Sequence, residues 1–336
     1  MTPVTSTPAK ILSFLAKRAI TLMLRSTAVN GAVRLLARAR GHRLVLVYHR
    51  IGPPAPPGCQ VVPTVPVQTF EAQLQALSEV VDLVTLDEIL AADGQRSADV
   101  AGRRPAIAVT FDDDLPSHAT HALPVLRRMG VPAAFFLSGR ALNGAGPYWF
   151  QELEALLVAH GNASTAALLG LPSPDANGSA SLALACERDP GLRRRVSELS
   201  ADIQAPGVLD GNGIAALAAS GMSIGFHTVD HQALPEVDDI TLDAAVTRGR
   251  DRLAAAAGDR VRYFAYPYGR ADARSAAAVR RGGFDAAFTG RPEPLRPRGD
   301  RYRIGRWEPG PVTVDELLVK LAVRLHRAAP RGLGAS

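Results

Sequence analysis

Apolar runs along this chain stop abruptly at side chains capable of chemistry. Ala106–Phe111 ends at Asp112, Asp113 and Asp114. Met222–Phe226 ends at His227-Thr-Val-Asp-His231. Arg262–Tyr266 ends at Pro267-Tyr268-Gly269, and Arg43–Tyr48 ends at His49. Short apolar runs of this kind suit strands buried on both faces. Val81–Leu86, Ala133–Leu137 and Asp285–Thr289 read as further strands, with Asp87 as the cap of a small helix after the first. Helical spacing appears between them. It covers Thr69–Val80 (Phe70, Leu74, Leu77), Ser117–Met129 with Gly130 as its stop, Thr241–Ala257, and 273–281. Thr313-Val-Asp-Glu316 is a capping box that opens a last helix. Strand and helix alternate with short connections, which predicts an α/β fold with a parallel sheet. Polar residues at the C-terminal ends of strands predict a site at the mouth of a barrel.

Between residues 138 and 220 the pattern changes to Ala-rich helix with turn signals at 170–178 and 205–213. This predicts a helical insertion, about 140–220, on the barrel top. Gly211–Ala216 fits a loose dinucleotide-binding spacing, but no strand leads into it, so it reads as a helix start. The loop 93–105 is polar, and the tail from Ala328 is expected to be mobile. Three segments follow: 1–42, a basic amphipathic stretch; 43–310, the barrel; 311–336, a helix and tail.

Composition is informative mainly at the N-terminus. The 336 residues are 47% hydrophobic with a formal charge of +6. Residues 1–70 contain nine Lys or Arg and no acid, while the rest carries 29 basic and 32 acidic residues. The apolar stretch from Ile11 to Leu24 is interrupted by Lys17-Arg18, too soon for a membrane span or a signal sequence. Lys10, Lys17, Arg18 and Arg25 fall near one helical face. A basic amphipathic helix within 9–40 suits an anionic membrane surface, or equally packs on the barrel. Nucleic acid is disfavoured, because no aromatics interleave the charges. Cys59 and Cys186 allow one disulfide but no framework. That fits a reducing, cytoplasmic setting, peripheral at an inner membrane surface.

An isolated Asp pair is usually a solvated turn. Adjacent strand residues point to opposite faces, so Asp112 and Asp113 can share a site only where the strand gives way to a loop. A third carboxylate, Asp114, weakly favours a bound cation. His227 and His231 alone are weak evidence for ligands. With one carboxylate they make a three-ligand set of the kind found at catalytic zinc centres. Pro267-Tyr268-Gly269 is either an ordinary turn or one that aims a backbone N–H at an oxyanion. Trp149 suits sugar stacking at the entrance, though packing inside the insertion is the commoner use. His118, His121, His160 and His326 lie in helical stretches and read as structural or surface residues.

Together these segments resemble the polysaccharide deacetylases, the NodB-homology or carbohydrate esterase family 4 proteins. Thr110-Phe-Asp-Asp-Asp114 is similar to the family's Thr-Phe-Asp-Asp-Gly motif. His227-Thr-Val-Asp-His231 matches His-Ser/Thr-x-x-His, and Phe264–Gly269 is similar to the Pro-Tyr-Gly motif of some branches. Val47-Tyr-His-Arg50 and Ala122–Leu126 resemble those branches too. The likeness runs from about 44 to 306 in the family's order. It implies a distorted (β/α)₇ barrel and metal-assisted removal of an N-acetyl group from a sugar. By resemblance, Asp113, His227 and His231 hold the metal, zinc first, with cobalt or nickel as alternatives. Asp112 is the general base, Thr228 supports the second motif by hydrogen bonding, and the Tyr268 N–H stabilises the tetrahedral intermediate.

Three positions depart from the pattern. Asp114 replaces a Gly. Ala265 stands where many members carry an Arg that orients the base, with Arg270, Arg303 or Arg306 as substitutes. The late Leu-x-His that often supplies the general acid is absent, which leaves His49 as the candidate acid. The expected substrate is an N-acetylated glycan or lipid-linked saccharide of cell-surface polysaccharide or lipopolysaccharide assembly. Deformylase, O-acetyl esterase and cyclic-amide amidase activities on the same barrel are alternatives, as is a glycan-binding relative without turnover.

Overall fold

The structure is a computed structural model that describes residues 27–39, 41–91, 104–174, 178–203 and 205–327. Seven parallel strands form its frame: β1 (Arg43–Tyr48), β5 (Ala106–Asp112), β6 (Ala133–Leu137), β7 (Ser223–Phe226), β8 (Tyr263–Ala265), β9 (Ala286–Phe288) and β10 (Arg306–Trp307). Their order is β10-β1-β5-β6-β7-β8-β9. The ring nearly closes where Ile304 bridges Phe288 and, beyond Gly305, Arg306 and Trp307 pair with Val45 and Leu46. This is the expected distorted (β/α)₇ barrel. Three two-residue strands lie outside the ring. β4 (Asp82–Leu83) pairs with the start of β5, and β2 (Arg50–Ile51) pairs with β3 (Thr64–Val65).

Alternation along the strands separates two cores. Leu44, Leu46 and Tyr48 of β1, and Ile107, Val109 and Phe111 of β5, face the outer helices and share one large cluster. Val45, Ala108, Ala134, Phe136, Ala265 and Phe288 face the barrel interior and form a second. Successive strand residues point to opposite faces, so this parity sets what each strand end presents. Ala108, Thr110 and Asp112 share the interior face, and their strand ends at the barrel mouth.

The outer helices follow the expected order with adjusted ends. Val67–Val80 and Ala273–Arg281 form as expected. The helix before Gly130 begins with a wide turn at 118–122 and becomes α-helical over Leu123–Met129. Pro124, which has no N–H to donate, sits at that change. The helix expected over Thr241–Ala257 is two helices, Asp239–Thr247 and Arg250–Ala257. They break at Gly249, where φ is +86° and a Cβ would lie 2.5 Å from Val229 Cγ2. Asp87 is not the helix cap it was expected to be. Thr85 and Glu88 form a reciprocal capping pair instead, and Asp87 accepts hydrogen bonds from Arg262 and Tyr263.

Helices Trp149–Leu169, Ser179–Arg188 and Pro190–Ser200 share their own small core around Leu153, Leu157, Leu182 and Val196. Gly211–Ala219, opened by Asp210, instead packs Ile214 and Leu217 into the barrel's outer core. The inserted unit is therefore narrower than 140–220. Cys59 and Cys186 both contribute to its core region as free thiols, so the disulfide that two cysteines allow is not formed.

Residues 27–38 are helical and bury Ala32 and Leu36 in the barrel's outer core, as barrel packing requires. The basic positions Lys10, Lys17, Arg18 and Arg25, most of the loop 93–105 and the tail from Ala328 lie outside the described residues. No described helix is long and apolar enough to cross a membrane.

Candidate functional site

Asp112 and Asp113 both enter one site because the backbone changes hand between them. Asp112 continues the interior face of β5, whereas Asp113 takes φ +72° and breaks the alternation. Thr228, His231 and Tyr268 also have positive φ, at +59°, +49° and +57°. Only one other described non-glycine residue, Arg298, does so. Each such residue costs about 1–3 kcal/mol, which the surrounding fold must offset. Here they gather at the ends of β5, β7 and β8. Gly269 completes the third of these turns. Its φ is +65°, and a Cβ there would lie 2.4 Å from the Gly290 nitrogen.

One ligand atom each from Asp113, His227 and His231 lies within 4.8 Å of the others, and all three residues are buried. His231 Nε2 is 3.4 Å from Asp113 Oδ1, and His227 Nε2 is 3.7 Å from it. His227 Nδ1 is 2.8 Å from the Ala265 carbonyl. A carbonyl only accepts, so Nδ1 carries the hydrogen and Nε2 keeps a lone pair toward Asp113. Asp113 Oδ1 has no hydrogen-bond donor, although it is buried. Burial first, with repulsion from Asp112 and Asp114, raises the Asp113 carboxyl to about 7. Burial lowers both imidazoles and favours their neutral, ligating form. An orphaned carboxylate oxygen and two neutral imidazoles fit a divalent cation.

Asp112 is held differently. Arg306 grips it in a fork, with Nη1–Oδ1 and Nη2–Oδ2 both 2.6 Å. Burial pushes this carboxyl up, but Arg306 and then His227 outweigh it and hold the group well below the usual carboxylate range. Of the three arginines considered in place of Ala265, Arg306 is the one that holds Asp112. Arg270 is engaged with Glu187 and Glu236, and Arg303 lies beside Asp300. Two residues after Arg306, Glu308 Oε1 sits 3.0 Å from His49 Nδ1. Burial disfavours the charged imidazole, but Glu308, supported by Asp113 and Asp112, raises His49 to about 9. One strand end therefore holds both groups suited to proton transfer. Sequence reasoning missed Glu308, which has no motif around it.

Asp114, which stands in place of the motif's Gly, is structural. Its carboxylate accepts from Ser138 N, Ser138 Oγ and Arg140 N at 2.7–2.8 Å. Ser138 Oγ is also 2.5 Å from the Tyr148 hydroxyl, and the Tyr148 ring meets His231 edge-on. Asp114 thus ties the loop after β6 to the metal-type cluster. Asp114→Ala is expected to lower the unfolding free energy by roughly 3 kcal/mol, since hydrogen bonds to charged groups contribute about 1.5–3 kcal/mol each. Denaturant titration measures this. A change below about 0.5 kcal/mol would show that Asp114 is dispensable.

Thr228 does not make the hydrogen bond expected of it. Its hydroxyl is buried without a partner, and the residue's visible contribution is the bend at positive φ. The Tyr268 ring packs on His231 with 4.6 Å between centroids, and its hydroxyl accepts from Trp149 Nε1 at 3.3 Å. Trp149 borders both the insertion core and the cavity. His118 is buried 3.2 Å from the His49 carbonyl and braces that strand end. These groups open on a cavity of about 390 Å³ that reaches from Asp112, Asp113 and His49 to Trp149 and Glu187 of the insertion.

The polysaccharide deacetylase family model matches residues 99–287, more than half of the chain. No curated protein matches the sequence. Among solved structures, the chain is similar to the Streptococcus pyogenes deacetylase PplD in complex with acetate. Identity is 17% and the TM-score 0.57, with 82% of this chain and 96% of that one covered. It is also similar to IcaB from Ammonifex degensii, at 23% identity and TM-score 0.54, covering 84% and 97% of the two chains. A de-N-acetylase from Aggregatibacter actinomycetemcomitans matches at 16% identity and TM-score 0.52, covering 81% and 95%. At these identities the likeness shows the fold alone.

Proposed function

The chain belongs to the polysaccharide deacetylase family, hydrolases of non-peptide carbon–nitrogen bonds, and from that premise we propose a metal-dependent enzyme that removes N-acetyl groups from an amino-sugar glycan. One observation carries the reading. A buried three-ligand cluster, an Arg-held carboxylate and a carboxylate-held imidazole face a single cavity.

Asp113, His227 and His231 would hold the cation. When bound, a divalent ion supplies Lewis-acid polarisation of the acetamide carbonyl and lowers the pKa of a coordinated water toward about 7. Asp112 takes the proton of the attacking water. Arg306 keeps this carboxylate ionised and fixed in orientation, which is what a general base requires. His49, protonated through Glu308, gives its proton to the departing nitrogen. Acetate and a free amine result. Tyr268 lies at the tight turn beside the cluster, where its backbone N–H suits the developing oxyanion. Product analysis tests the reaction class. Acetate with an equal amount of new amine supports the proposal, whereas formate or a ring-opened cyclic amide would replace it with a rival activity.

The His49–Glu308 pair predicts a pH response. A general acid works only while protonated, so activity falls as pH rises through the His49 value of about 9. A cation at Asp113 acts in the opposite sense and places that limb lower in the loaded enzyme. Glu308→Gln removes the main factor that raises His49, so the alkaline limb of kcat/KM moves to lower pH. An unmoved limb would remove His49 from the acid role.

A further inference from the structure

The insertion brings a charge to the cavity that the proposed deacetylation does not use. Ala183 and Glu187 lie one turn apart on the helix Ser179–Arg188, and both line the cavity. Beside them, Val61, Trp149 and Phe150 form an apolar wall suited to the C–H face of a sugar ring. Asp112, Asp113 and Glu308 line the same cavity. Among the described residues, the only arginine lining the cavity is Arg306, and both ends of its fork are already occupied by Asp112. His49 is likewise occupied by Glu308. Two more cations approach the rim at Tyr268. Arg270 lies 5.5 Å from the ring centroid, and Arg193 acts on the hydroxyl. Glu187 pairs with Arg270. Arg306, His49 and Arg270 are thus each engaged by a carboxylate, and an anionic group reaches these three side chains only in competition with one, while Arg193 meets the Tyr268 hydroxyl.

Resting on the deacetylase reading, we propose that Glu187 is a specificity-determining residue that restricts this cavity to N-acetylated saccharides carrying no negative charge next to the acetamido sugar. A phosphate or uronate there would meet Glu187 and Glu308 in a partly water-excluded space, where like charges repel more strongly than in water. A neutral neighbouring sugar meets the apolar wall without that cost. Arg270 is the latent counter-charge. Without Glu187 it keeps only its exposed pairing with Glu236 and its second nitrogen can turn to an anion, and without Arg270 the repulsion from Glu187 is unshielded. The two substitutions therefore act in opposite directions, which simple damage to the fold does not produce.

The test compares two probes with the holoenzyme: a neutral N-acetylglucosamine tetramer, and an oligosaccharide of the same length alternating N-acetylglucosamine with glucuronate. Acetate release gives kcat/KM. Quenching of tryptophan fluorescence in the chelator-treated protein gives binding without turnover. We expect the neutral probe to be preferred at least tenfold. Glu187→Gln should narrow that preference at least threefold. Arg270→Gln should widen it. Equal preference in the unmodified protein, or the full preference retained in Glu187→Gln, overturns the proposal. If neither probe yields acetate while the binding order and its response to both variants hold, the deacetylase reading fails and the charge selection stands. Equal binding of the two probes overturns the selection on its own.

Discussion

His231→Ala is expected to take the purified protein from near-stoichiometric divalent metal to background and to abolish turnover. Asp113, His227 and His231 are the only three-ligand cluster among the described residues, and the neighbouring carboxylate, Asp112, is already held by Arg306. Two remaining ligands bind a cation far more weakly than three in the same geometry. Loss of the Lewis acid removes several kcal/mol of transition-state stabilisation, so activity should fall at least a thousandfold. The fold should survive, because His231 lies at the barrel mouth outside both main core clusters. Elemental analysis beside thermal unfolding reads both quantities. Retained metal in a folded His231→Ala protein would show that the cluster is not the site.

Arg306→Met should damage stability and rate together. Arg306 and Asp112 are both nearly inaccessible, and the guanidinium meets the carboxylate through two 2.6 Å hydrogen bonds. Truncating one partner leaves a buried charge uncompensated, at a cost of about 3–5 kcal/mol. The Asp112 carboxyl then loses the strongest influence opposing its burial, and its pKa rises. A base that is partly protonated and poorly oriented costs roughly 10²–10⁴ in rate. Lysine keeps the charge but not the planar fork, so Arg306→Lys should recover stability better than kcat. The acidic limb of the rate profile should move to higher pH in Arg306→Met. Wild-type kcat in a stable Arg306→Met protein would mean that Asp112 needs no orienting partner.

The parts of this site that end apolar runs were legible in the sequence. Asp112, Asp113, His227, His231 and His49 each follow a strand whose burial requires continuous hydrophobicity, and parity then places Asp112 inside. The left-handed backbone at Asp113, Thr228, His231 and Tyr268 was not legible, because these residue types do not by themselves demand positive φ. Nor was Glu308. It follows a two-residue strand with no apolar run of its own, and its meeting with His49 depends on the ring closing between β9 and β1. Arg306 was one of three arginines that sequence order could not separate. Only the registry of β10 against Val45 and Leu46 places its fork on Asp112. The same limit applies to Gly249, where tertiary crowding by Val229 accompanies the break in a helix that its periodicity ran through. Asp114 looked like a defect in a motif because its partners at Ser138 and Arg140 lie across the sheet.

Metal-dependent cleavage of an acetamide in this cavity links these expectations. Acetate release from an N-acetylglucosamine oligosaccharide tests it most directly, with the protein stripped by chelator and then reloaded separately with zinc, cobalt or nickel. No acetate is expected from the stripped protein, with recovery on reloading and matching appearance of free amine. Acetate release unaffected by chelation, or none with any metal from a folded protein, would contradict it.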